Sequence, residues 1–83
     1  MSISLYPNPT SGVIKIEGRV YTTELYLEVF DLNGRSVFSS KLKVKNSKVK
    51  KRIDLSRLEN GIYTIKFAAG WGYNYSEKIS IKR

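Results

Sequence analysis

Hydrophobic and polar residues alternate along most of this chain with a period of two. Leu25, Leu27 and Val29 fall on one face of a stretch whose other face carries Tyr26, Glu28 and Phe30. Val13, Ile14 and Ile16 are interleaved with Lys15 and Glu17. Val49, Lys51, Ile53 and Leu55 alternate with Lys50, Arg52 and Asp54. Tyr63, Ile65 and Phe67 share a face within 62–68. Ile79 and Ile81 point one way within 75–82, with Lys78, Ser80 and Lys82 the other. Successive side chains of an extended chain point to opposite sides, so this pattern predicts half-buried strands. A long, mixed stretch over 37–44 and a short one over 3–6 bring the number to seven. No stretch has a helical period; Leu55-Ser56-Arg57-Leu58 makes at most one turn.

The residues between these stretches are turn formers. Pro7-Asn8-Pro9 and Ser11-Gly12 interrupt the first two strands, since proline fixes φ and biases the residue before it away from helix. Asn33-Gly34 and Asn60-Gly61 predict type I′ hairpin turns, which need φ > 0 at both central positions. Asn46-Ser47 is a weaker turn and Gly70-Trp71-Gly72 a loop tip. Short strands at regular spacing predict an all-β domain: a single immunoglobulin-like antiparallel β-sandwich of about seven strands with Greek-key pairing, spanning 1–83. One register is self-limiting. If Asn46-Ser47 closed a two-residue hairpin, Lys45 would face Lys48, Lys43 would face Lys50 and Lys41 would face Arg52. Like charges directly opposite destabilise a pair, so the two strands are expected on different sheets or across a wider loop.

The chain has 83 residues and a net charge of +8, without cysteine or histidine. Disulfides and thiolate metal sites are excluded, as are the commonest general base and the commonest metal ligand. The charge predicts attraction to polyanions such as nucleic acid, acidic lipid headgroups or lipopolysaccharide, and equally serves solubility and edge protection. No window approaches the roughly 20 apolar residues of a membrane span. The first four residues lack the charged and apolar regions of a signal peptide. If the domain is an excised C-terminal piece, any signal peptide belongs upstream in the precursor.

Candidate chemistry is sparse. The seven carboxylates, Glu17, Glu24, Glu28, Asp31, Asp54, Glu59 and Glu77, show no acid/base spacing. No nucleophile elbow or phosphate loop occurs. Asp31-Leu32-Asn33-Gly34 imitates the start of a calcium loop but lacks the remaining ligands. No enzyme, metal or cofactor is expected. The basic run from Lys41 to Arg52 and the tyrosines Tyr6, Tyr21, Tyr26, Tyr63, Tyr73 and Tyr75 would suit single-stranded nucleic acid. They are separated in sequence, however, and no nucleic-acid partner is expected.

Four short motifs remain. Tyr6-Pro7-Asn8-Pro9, then Gly12, opens the chain. Phe30-Asp31 with Gly34-Arg35 follows a strand. Leu58, Gly61 and Tyr63 open a later strand. A basic β-forming tail, Lys78-Ile79-Ser80-Ile81-Lys82-Arg83, closes the chain. In this order, over nearly the whole chain, they resemble the C-terminal sorting domain, type A, of proteins exported by the type IX (Por) secretion system.

The resemblance implies a secretion signal at the end of a larger cargo protein that folds in the periplasm. It implies as partners the type IX outer-membrane shuttle or translocon, a sortase-like peptidase and the fused cargo. The implied destination is the cell surface or medium, with the domain removed on export. The motif residues are expected to make the fold, a receptor then recognising the folded shape. Ile79 and Ile81 on a last strand at a sheet edge would offer that receptor open backbone groups, and edge strands also permit weak self-association. The competing reading is a carbohydrate-binding or adhesion module, with Trp71, Tyr73 and Tyr75 as its aromatic platform.

Overall fold

The computed structural model describes residues 2–70 and 72–83, apart from the Tyr73 side chain. Trp71, one ring of the expected aromatic platform, lies outside the described residues. The chain forms β1 (Ser2–Tyr6), β2 (Val13–Arg19), β3 (Glu24–Phe30), β4 (Ser36–Lys43), β5 (Lys48–Asp54), β6 (Gly61–Ala69) and β7 (Tyr73–Ile81). A three-stranded sheet in the order β1-β2-β5 packs on a four-stranded sheet in the order β4-β3-β6-β7, and all strand pairs are antiparallel. The non-consecutive neighbours β3 and β6 give the Greek-key connection.

The alternation selects the core. Ile14 and Ile16 of β2, Leu25, Leu27 and Val29 of β3, Ile65 and Phe67 of β6, and Ile79 and Ile81 of β7 are buried between the sheets. Each such side chain contributes about 1.5–3 kcal/mol of hydrophobic stabilisation. Val20 and Leu55, on connections that cross between sheets, plug the ends. Lys51 breaks the pattern: it has the parity of Val49 and Ile53 but is exposed. Its strand is a sheet edge, where a long side chain reaches water past the rim.

Two turns differ from expectation. Only Gly34 of the Asn33-Gly34 pair has positive φ, at 81°. The connection is longer than two residues: the Gly34 N–H donates to the Asp31 carbonyl at 3.0 Å, and Asp31 N–H to the Arg35 carbonyl at 3.0 Å. This is a type I turn with a following left-handed glycine, which needs positive φ once rather than twice. Asn60-Gly61 closes no hairpin; it ends the crossing from β5 to β6, between sheets.

The lysine turn is a compromise. Asn46 and Ser47 have φ of 52° and 61°, and Lys45 and Lys48 exchange backbone hydrogen bonds of 3.1 and 2.9 Å. The turn is thus the tight two-residue type, not a wider loop, and one lysine pair stands in register. Beyond it β4 and β5 part onto different sheets, so Lys43 and Lys50, and Lys41 and Arg52, are not cross-strand partners.

Candidate functional site

In an antiparallel sandwich every second connection lies at the same end. The β1–β2, β3–β4 and β5–β6 connections and the residues after β7 therefore share one end. All four sequence motifs sit there. Ser2, opposite Arg19 in the β1–β2 register, lies at the other end.

The Tyr6–Gly12 segment joins the two sheets. Tyr6 ends β1 and donates its hydroxyl to Glu17 Oε1 at 2.5 Å, which pushes its phenol pKa up. The Tyr6-Pro7 and Asn8-Pro9 peptide bonds are cis. Asn8 then crosses to β7: its Nδ2 donates to the Lys78 carbonyl at 3.1 Å, and its Oδ1 accepts from Ser80 N–H at 3.0 Å. Thr10 N–H donates to the Ser80 carbonyl and the Thr10 carbonyl accepts from Lys82 N–H, both at 2.9 Å. The last strand is therefore an edge of its sheet, but its outer side from Lys78 to Lys82 is already covered by residues 8–10. The outward backbone groups of Asn74 and Ser76, earlier on the same side, are left uncovered by that segment.

Thr10 holds the crossing in place. It is only 2% exposed, donates to the Val13 carbonyl at 2.6 Å and accepts from Gly12 N–H at 3.1 Å. Gly12 follows with φ of 142°, and an added Cβ would sit 3.0 Å from Ser56 Cα. That close approach lets the Gly12 carbonyl accept from Leu55 N–H at 2.6 Å.

The C-terminal arginine completes the junction. Arg83 Nη2 donates to the Ser56 carbonyl at 2.6 Å, and Asn60 Oδ1 accepts from Arg83 N–H at 3.2 Å. The Leu58-to-Tyr63 motif has its own structural use. The Tyr63 hydroxyl donates back to the Glu59 carbonyl at 2.7 Å, the tyrosine corner that pins the start of a strand in Greek-key sandwiches.

Asp31 organises the fourth segment. Its Oδ1 accepts from the N–H groups of Asn33 and Arg35 at 2.9 and 3.0 Å, and its Oδ2 from Arg35 Nε at 3.1 Å. The Arg35 N–H, then the Asn33 N–H and the guanidinium, hold its carboxyl below the usual carboxylate value. A carboxylate so occupied is a turn device. Asp54 is likewise lowered by its hydrogen bonds to Ser56, including the N–H at 2.9 Å.

The structure thus brings Asn8 and Thr10 against the backbone of Lys78, Ser80 and Lys82, with Gly12 beside Arg83. Tyr6 bonds Glu17 on its own sheet, and Pro7 and Pro9 flank Asn8 in the crossing segment. Gly61 and Tyr63 adjoin them, Gly61 standing opposite Ile81. Asp31, Gly34 and Arg35 form a separate turn at the same end, next to β6 through the Phe30–Thr64 pair. Ile79 and Ile81 are buried, whereas Lys78, Lys82 and Arg83 are exposed. Thr10, Ser56 and Asn60 stand out in no sequence motif. The turn-forming run after Pro9 is the signal that marks Thr10, since a hydroxyl there can bond its local backbone.

Of the expected aromatic platform only the Tyr75 ring is described, the Tyr73 side chain lying, like Trp71, outside the described residues. That ring is half-buried, its centroid 6.2 Å from that of Phe67, and its hydroxyl donates to Glu77 Oε1 at 2.6 Å. Among the described residues no group of acidic side chains is placed to hold a metal ion.

A family model described as the secretion system C-terminal sorting domain matches residues 4–82. A search of curated proteins finds no match to the chain.

Proposed function

From the premise that the chain belongs to the family of type IX secretion system C-terminal sorting domains, we propose that it acts as a folded address. A larger cargo carries it at its C-terminus, crosses the inner membrane behind a signal peptide and folds in the periplasm. The type IX outer-membrane machinery reads the domain and moves the cargo outward. A sortase-like peptidase then removes the domain, and the cargo stays at the surface or is released. The observation that carries this reading is the gathering of four dispersed motifs at the end of the sandwich opposite Ser2. Chain preceding Ser2 would leave from the far end, so an attached cargo would not shield the motif end. Such a role asks for a presented surface and no chemistry, and a sorting-signal family is not known to be catalytic.

The surface on offer is the rim around the Asn8–Ser80 junction, with Lys78, Lys82 and Arg83 as its charges. The uncovered backbone groups of Asn74 and Ser76 extend it as a short site for strand addition. Deleting residues 79–83 is a poor test of this. It strips Ile79 and Ile81 from the core, so lost export would report unfolding.

The informative experiment fuses the chain to a fluorescent protein that folds in the periplasm, behind a Sec signal, in a bacterium with type IX secretion. Surface or medium fluorescence that needs an intact machinery, and that falls for Lys78→Ala with Lys82→Ala in a still-folded domain, is the expected result. Retention of the folded wild-type fusion in the periplasm of both the parent and a secretion mutant would overturn the reading.

A second reading, glycan binding, keeps one supporting observation. The outer face of the four-stranded sheet holds a hollow of about 660 Å3 with the exposed Tyr26 beside Glu28, Lys41 and Asn74. Glycan-array binding lost on Tyr26→Ala would favour it.

A further inference from the structure

The open side of the sandwich, between the free edges of β4 and β5, is a groove of about 630 Å3 lined by Lys41, Lys43, Lys45, Lys48, Lys50 and Lys51. Two of these have acidic partners, Lys41 with Glu24 at 3.0 Å and Lys50 with Glu17 at 3.9 Å. Among the described residues no carboxylate is within ion-pair distance of the other four, although Glu24 stands opposite Lys43 in the β3–β4 register. This side lies along the flank of the sandwich, apart from the end that carries the motifs.

The backbone of β4 is in phase with the charges. Val44 N–H donates to the Thr23 carbonyl at 3.0 Å. With Leu25 opposite Leu42 and Leu27 opposite Ser40, the even-numbered residues turn their amide groups toward β3. Ser39, Lys41 and Lys43 therefore turn theirs outward, where β4 has no strand neighbour among the described residues. On β5 the phase is set by Val20 N–H on the Ser47 carbonyl, which turns Lys48, Lys50, Arg52 and Asp54 outward. Asp54 puts a negative charge on that edge, and β4 has none.

The geometry points to the β4 edge as a docking site for an acidic, extended polypeptide segment of another protein. A strand added there would place every second side chain opposite Lys41 and Lys43 on the outer face, where carboxylates pair with ammonium groups. The alternate side chains would lie over the rim of the core at Leu42 and Val44, where apolar groups fit. Each outward residue offers an N–H donor and a carbonyl acceptor. A peptide strand satisfies both. A phosphate or sulfate chain satisfies only the donor and faces the carbonyl with like charge. A second copy of this chain would set lysine against lysine, so the same residues that attract an acidic strand exclude self-pairing.

The test uses the whole chain and three probes: a blocked octapeptide of alternating Glu and Val, the same peptide N-methylated at alternate residues, and inorganic polyphosphate. Binding is followed by NMR titration and amide exchange at low salt. The Glu-Val peptide is expected to slow exchange at Lys41 and Lys43, and N-methylation to weaken binding by about tenfold or more, because half the ladder is lost. Lys43→Glu together with Lys50→Glu, both exposed and harmless to the core, is expected to weaken it about as much. Equal binding of the N-methylated peptide, or polyphosphate matching its affinity, would reduce the groove to a general anion site and overturn the proposal. So would protection at Lys50 and Arg52 in place of Lys41 and Lys43, or no binding of the Glu-Val peptide.

Discussion

Asn8 holds Ser80 as a strand neighbour would, although Asn8 lies in no strand. Its side-chain amide accepts from the Ser80 N–H at 3.0 Å and donates to the Lys78 carbonyl at 3.1 Å. Asn8→Ala is expected to cost about 0.5–1.5 kcal/mol, the usual net worth of exposed hydrogen bonds of this kind. Amide exchange at Ser80 should accelerate while exchange at Phe67 stays unchanged. Equal acceleration at both sites would mean global loosening and no local clasp.

Thr10 is expected to be more sensitive, because it is buried. Thr10→Val keeps the shape but leaves Gly12 N–H and the Val13 carbonyl without their hydroxyl partner, at a cost of about 1–3 kcal/mol. Thr10→Ser keeps the hydroxyl and should recover most of the loss. Urea unfolding of the two variants separates the hydrogen bonds from the packing of the methyl group.

Tyr63→Phe removes the hydroxyl that reaches the Glu59 carbonyl at 2.7 Å and should lower stability by about 1–2 kcal/mol. The ring remains in the core, so the spectroscopic signature of the folded sheet should not change.

Gly18 and Gly34 should respond differently to alanine. A Cβ at Gly18 would overlap the Ser2 carbonyl oxygen and lie 2.9 Å from Ile3 Cα, so β1 must move off β2. The expected cost is about 1–3 kcal/mol, with lost amide protection in β1. Gly34 has open space around it and φ of 81°. Alanine there should cost about 1 kcal/mol for backbone conformation alone, and Gly34→Asn less.

Acid should weaken the fold through Asp31 and Asp54. Both are held below the ordinary value of 3.8, Asp31 first by the Arg35 N–H and Asp54 first by Ser56. Their folded pKa is depressed, so their contribution is fully present above the unfolded value and is lost as pH falls through the folded one. The urea midpoint should therefore drop between about pH 5 and pH 2. Asp31→Asn keeps an acceptor for the turn and should flatten part of that slope. Tyr6 acts at the other extreme. Its pKa is raised by Glu17, so its contribution persists up to the ordinary value of 10.0 and is lost as pH rises past the raised one.

Most strands were legible because one face is buried; the parity of Leu25, Leu27 and Val29, or of Tyr63, Ile65 and Phe67, allows no other assignment, whereas β1 is only half-buried on its inner face and β4 is mixed. Turn type was not legible from Asn-Gly pairs: at Gly34 the hairpin takes a longer turn built on Asp31, and at Gly61 the next strand joins the other sheet. The parting of β4 from β5 was legible in part: repulsion along Lys41–Lys45 and Lys48–Arg52 pointed to separate sheets, while the tight turn tolerated one lysine pair. The junction at Asn8, Thr10, Ser80 and Arg83 was the least visible part of the site. Its partners sit at opposite ends of the sequence, and no local period marks a segment that pairs by a side chain.

The clasp also sets the order in which this molecule can assemble. The β3–β4 and β6–β7 hairpins join residues near in sequence and close over short loops. Asn8 and Ser80 are 72 positions apart, so their meeting carries a larger loop-closure entropy and waits on the rest of the sandwich. A growing chain that has not yet delivered Ile79 and Ile81 lacks two buried isoleucines and has nothing to cover Thr10. The core is complete, and the edge at Ser80 sealed, only with the last strand in place.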